Sequence, residues 1–193
     1  MRRILRLLAC GAVVLSLVAC TPTGRAVGDT QDSMPSIAHD STHKTDITVG
    51  FVGSTDTAAD KKAIDALADD TLNVYYASLD TSDDSETADK IAATAQQGVT
   101  DFVDRAVKIV IISGIDVTDA NRDSWNQALT NAREAGIPVA LLNPKHAPED
   151  ELLYAAILNT DDAASAKSVS IADAVITIAR DEPHDRTIAV ATE

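Results

Sequence analysis

Residues 108–143 read KIVIISGIDVTDANRDSWNQALTNAREAGIPVALLN. The two apolar runs, 109–112 and 139–142, are continuous rather than alternating, which marks strands buried on both faces, as in parallel sheets. Between them Trp125, Ala128, Leu129 and Ala132 recur at i, i+3, i+4 and i+7, a single apolar helix stripe. Gly136 stands where a helix end takes a left-handed residue, and Pro138 follows where no helix continues. The segment is a βαβ unit, with the right-handed crossover such units adopt.

Reading outward, ITVGFVG predicts a strand within 46–53, followed by a helix over 57–69 with Ala63, Ile64 and Leu67 inward. A second strand is expected over 71–79. A long helix over 85–105, capped by Asp83 or Ser85, keeps helical spacing through Ala88, Ile91, Ala92, Ala95, Val99, Phe102, Val103 and Ala106, so Gly98 lies inside it. The opening unit supplies a strand (108–113), a helix (120–135) and a strand (138–142). After the polar loop 143–151 come a strand at 152–158, a helix with Ile171, Ala174, Val175 and Ile178 on one face, and a strand at 187–191. This alternation specifies an α/β fold, a doubly wound parallel sheet.

The N-terminus has a different character. Arg2, Arg3 and Arg6 precede a short apolar run, the architecture of a secretory signal over 1–19. Leu17, Val18, Ala19 and Cys20 resemble the lipobox of bacterial lipoproteins. That resemblance implies diacylglycerol on Cys20, cleavage before it, and a protein lipid-anchored on the extracytoplasmic face of the cell membrane. Cys10 would leave with the signal, so no disulfide or catalytic thiol is expected. Residues 20–45, rich in Thr, Ser, Gly, Asp and Pro, read as a flexible tether holding the domain roughly 25–30 Å from the anchor. Losing three arginines moves the net charge from −14 to −17. Such a surface repels phosphates, so no nucleic-acid partner is expected.

Three segments, DITVGFVGSTD, AQQGVTDFVDRAVKIVIISGIDV and NAREAGIPVALLN, resemble the N-terminal lobe of periplasmic sugar-binding proteins of the ribose and galactose type, relatives of the LacI ligand domain. The likeness continues through ILNTDDAAS. It implies a first α/β lobe over 46–158, the start of a second lobe over 159–193, binding of a small solute, commonly a sugar, and delivery to an ABC importer permease. Two positions depart from the family pattern. Ser54, Thr55, Asp56 and Thr57 stand where the family often holds an Asn and aromatic residues after the first strand, and Asn143 with Pro144 replaces an Asp–Arg pair, with Lys145 as a substitute cation. Members of ordinary two-domain size continue for about a hundred residues more. The chain is therefore expected to be either truncated or a single-domain variant whose last elements pack on the first lobe.

In open parallel sheets ligands sit beyond the carboxyl ends of the strands, where the strand order reverses. Candidate ligand-binding residues are thus Ser54, Asp56, Asp116 and Asn143. Asp56 also stands where a helix cap is wanted, the favoured of its two roles; Asp116 serves equally as a turn residue, and an Asn before proline, as at 143, is commonly a turn former. Ser113 could face the cleft or simply end a strand. Asn159, Thr160 and Asp161 could line it or start a helix, and Trp125 reads as core rather than a stacking platform. The histidines His39, His43, His146 and His184 lack metal-ligand spacing, and residues 50–53 are no dinucleotide fingerprint. No catalytic residue, metal or cofactor is expected, and the chain does not read as an enzyme. The alternative is an envelope sensor or protein-interaction module that keeps the lobe as scaffold.

Overall fold

The computed structural model describes residues 22–31, 43–79, 87–161, 163–165 and 167–192. The signal, Cys20, residues 32–42 and the cap candidates Asp83 and Ser85 lie outside the described residues. Among the described residues seven strands and four α-helices follow in the order β1 (Thr48–Val52), α1 (Thr57–Asp69), β2 (Asn73–Ala77), α2 (Ala88–Asp104), β3 (Ile109–Ser113), α3 (Arg122–Glu134), β4 (Val139–Leu142), β5 (Ala156–Asn159), β6 (Val169–Ser170), α4 (Ile171–Ala179) and β7 (Thr187–Ala191). All pairings are parallel, in the order β2, β1, β3, β4, β5, β7, β6.

Every residue of β3 and β4 is buried, as continuous apolar runs require. Odd and even positions separate cleanly. Val49, Phe51, Ile109, Ile111, Ala140 and Leu142 pack with Leu67 of α1 and with Ile171, Val175 and Ile178 of α4. Val52, Val110, Ile112, Val139 and Leu141 pack with Val99 and Phe102 of α2 and with Trp125, Leu129 and Ala132 of α3. Helices on both faces make the sheet doubly wound. Gly50 of β1 lies directly under Phe102, whose Cγ would stand 2.5 Å from a Cβ at that position. Gly136 has φ +72°, the left-handed C-terminal geometry expected after α3.

Several boundaries differ from expectation. Strand β5 starts at Ala156 because residues 151–153 form a 3-10 turn, with Asp150 accepting from the Leu152 N–H at 2.9 Å. Helix α2 begins at Ala88 rather than residue 85, and α3 at Arg122 rather than residue 120.

Two larger differences are tertiary. Residues beyond 159, expected to open a second lobe, extend the same sheet: β7 pairs with β5 at Ile157↔Thr187 and Leu158↔Ile188. Helix α4 is buried at Ile171, Ala172, Ala174, Val175, Ile176 and Ile178, too apolar to leave uncovered, and it shares the face of α1. Part of the expected tether is also folded. Residues 22–31 lie against the lobe, with Ala26 and Thr30 buried. Their partners, Arg133, Asp181, His184 and Arg186, are more than a hundred residues away in sequence, so local composition carries no sign of them.

Candidate functional site

Strand order reverses between β1 and β3, since β2 lies to one side of β1 and β3 to the other. The loops after β1, β3 and β4 surround a cavity of about 300 Å3 at this point. Ser54, Asp56, Asp116 and Asn143 all line it. One wall is aliphatic, built from Leu79, Ile91, Ala95, Ile112 and Ile115. Of the charged lining residues, Asp56, Asp89 and Asp116 outnumber Lys145, so the cavity disfavours anions.

After β1, the Asp60 carboxylate is buried at 1% exposure and organises the loop. It accepts from the Ser54 N–H at 2.6 Å and from the Ser54 hydroxyl at 3.1 Å. The Ser54 Oγ in turn accepts from the Asp56 N–H at 3.0 Å. Asp56 caps α1, accepting from the Ala59 N–H at 3.0 Å, as the capping alternative anticipated. On neighbouring β2, burial raises the Tyr76 phenol above its ordinary value of 10.0, and the negative charge of Asp60 adds to the effect.

The loop after β3 is tied to the one after β4. Asp116 and His146 form an isolated parallel bridge, and the Asp116 Oδ1 lies 2.7 Å from the His146 Nδ1. Asn121, almost fully buried, donates to the Asp116 carbonyl at 3.1 Å and accepts from the Thr118 N–H at 2.8 Å. Asn143 adopts φ +45° and is clasped by Thr160: its Nδ2 donates to the Thr160 hydroxyl at 2.7 Å, and its Oδ1 accepts from the Thr160 N–H at 2.9 Å. Asn159 accepts from the Asp161 N–H at 2.8 Å, a local turn bond.

The four candidates therefore share one cavity, yet each also holds a structural bond. Trp125 is 2% exposed within the core, as its stripe implied, but it lines the cavity too, and its indole N–H has no hydrogen-bond partner among the described residues. Asp60, Asn121 and His146 were not singled out as site residues in the sequence. A signal for Asp60 exists: it shares the inward stripe of α1 with Ala63 and Leu67, an unusual place for a carboxylate.

No family model matches the chain, and no curated protein matches it. Solved structures do. They include a galactofuranose binding protein, 17% identical with a TM-score of 0.46 over 74% of this chain and 56% of that one. Another is the periplasmic binding protein component of the arabinose ABC transporter from Shewanella sp. ANA-3, bound to α- and β-L-arabinofuranose, at 16% identity and a TM-score of 0.44 over 74% and 54%. A third is a Mycobacterium smegmatis protein in complex with β-D-fucofuranose, at 16% identity and a TM-score of 0.47 over 75% and 55%. The chain spans about half the length of these structures, and no residue role is transferred from them. Among the described residues there is no group of three or more His, Cys, Asp or Glu placed to hold a metal, and no helix is long and apolar enough to cross a membrane.

Proposed function

We propose that this protein is a lipid-anchored, extracytoplasmic solute-binding protein that takes a neutral sugar in the cavity at the β1/β3 switch point and hands it to an ABC importer permease. The reading rests on one observation: polar side chains from three separate strand ends meet an aliphatic wall in a single cavity, where open parallel sheets bind ligands. Asp56 and Asp116 accept hydroxyl hydrogens through Oδ2 while their Oδ1 atoms keep the helix cap and the His146 contact. The Trp125 N–H donates to a ligand oxygen, relieving an unpaired buried donor. Anionic sugars are excluded by the acidic rim.

The test is calorimetry and thermal shift on the mature protein with a panel of neutral pyranoses and furanoses. Saturable heat is expected, with stabilisation of about 2.7 kcal/mol at ligand concentrations a hundred times the Kd. A panel without saturable heat refutes the reading. Diacylglycerol on Cys20, read by mass spectrometry of the protein from cells, checks the anchor.

A second reading, a protein-interaction module, is favoured by Tyr75 and Tyr76, which stand 45% and 43% exposed on the edge strand β2. It predicts no sugar heat, and it predicts that Tyr75→Ser weakens capture of an envelope protein.

A further inference from the structure

We propose that residues 22–31 form a strap that holds the strand-start edge of the sheet against the bilayer carrying the Cys20 anchor, so that the cavity opens away from the membrane. The orientation rests on the lipid-anchor reading; the strap itself does not.

The strap is built from charged and buried contacts. Arg133, in the last turn of α3, donates Nη2 to the Pro22 carbonyl at 2.8 Å and Nη1 to the Arg25 carbonyl at 2.6 Å, with Nη1 also reaching the Leu152 carbonyl at 2.9 Å. Asp29, 6% exposed, pairs with Arg186 at 2.6 Å, and the Arg186 guanidinium lies 4.5 Å from the centre of the Tyr154 ring. The His184 N–H donates to the Thr30 carbonyl at 2.8 Å, its Nε2 lies 2.8 Å from the Gly28 carbonyl, and the Thr30 hydroxyl donates to Asp181. Ala26 is 1% exposed. Arg25, Arg133, Arg180 and Arg186, four of the six arginines after Cys20, lie in the strap, in the last turn of α3, just after α4 or just before β7.

Placement gives these contacts a direction. Leu152 and Tyr154 precede β5, Arg186 precedes β7, and Asp181 follows α4, whose C-terminus lies at the strand-start edge. The cavity sits at the opposite edge, beyond Gly53, Ser113 and Leu142. Cys20 is two residues before Pro22, a span of at most about 7 Å even when fully extended. An acyl chain on Cys20 therefore enters the bilayer beside the strand-start edge, not at the end of a free tether.

The first arm of the test is tryptic cleavage at Arg25–Ala26 in the folded mature protein. Slow cleavage is expected, accelerated about tenfold or more in Arg133→Ala/Asp29→Ala, the factor that matches loss of a hydrogen bond to a charged group. Arg133→Lys, which keeps the charge and the fold but not the fork, should fall between. Rapid cleavage at Arg25 in the parent overturns the strap. In the second arm, full-length lipidated protein on phosphatidylcholine vesicles carries a fluorophore at Lys108→Cys, on the strand-start edge, or at Lys145→Cys, on the cavity rim. A headgroup-level quencher lipid should quench the first label and spare the second, and the difference should vanish in the strap-open variant. Equal quenching in the parent overturns the orientation. Failure to float with vesicles sinks the anchor reading and the orientation with it, while the proteolysis arm still decides the strap.

Discussion

Replacing Gly50 by Ala tests how α2 is seated on the sheet, and through α2 the width of the cavity, because Ile91 and Ala95 of that helix form the aliphatic wall. The new Cβ would stand 2.5 Å from Phe102 Cγ, 2.6 Å from Cδ2 and 2.9 Å from Cβ. Rotation about χ1 moves the ring but not the Phe102 Cβ, so the helix itself must retreat to restore ordinary contact. Overpacking of this kind costs about 1–3 kcal/mol. Removing a strand glycine returns about 0.5–1 kcal/mol. The net destabilisation expected is about 1–2 kcal/mol, which for a domain of this size lowers Tm by roughly 2–8 °C. Urea unfolding followed by circular dichroism measures it. Phe102→Ala alone should cost about 3–5 kcal/mol through the cavity it leaves. In that background Gly50→Ala should become neutral or stabilising, a coupling of about 1–3 kcal/mol. Equal effects of Gly50→Ala in both backgrounds would refute the packing argument.

Asp60→Asn should bring the Tyr76 phenol down toward 10.0, because it removes the charge that adds to burial; absorbance titration of the phenol band reads the change. Tyr76's folded pKa lies above its unfolded value, so its contribution to stability is fully present below pH 10 and is lost as pH rises through the folded value, in a window that Asp60→Asn narrows. At the end of β4, Asn143→Ala loses both Thr160 bonds and places a Cβ-bearing residue without a local polar partner at φ +45°. A cost of about 2–4 kcal/mol is expected. Asn143→Gly, which keeps the backbone unstrained, should cost less by about 1–2 kcal/mol; equal losses in denaturant would show that φ strain is not involved.

The sheet was legible in the sequence because its information is local. The runs at 109–112 and 139–142, the Trp125 stripe and the Gly136 to Pro138 stop each depend on a few neighbouring residues. The position of the cavity followed from the same pattern, since alternating strands and helices place a switch point by topology alone. The state of its residues did not follow. The Thr160 clasp on Asn143 and the His146 contact to Asp116 join loops 17 and 30 residues apart, and no spacing rule forecasts which oxygen meets which nitrogen.

By itself, then, the sequence determined a parallel α/β sheet, the edge where its polar residues gather, and the helix stop at Gly136, all consequences of side-chain periodicity and backbone sterics. Only the tertiary structure decided that α4 and β7 complete the first sheet instead of opening another, and that residues 22–31 are a docked strap. Both outcomes come from long-range contacts: an apolar helix covers the nearest open face, Arg133 satisfies the carbonyls of Pro22 and Arg25, and Arg186 pairs with Asp29 in a segment that has no periodicity of its own.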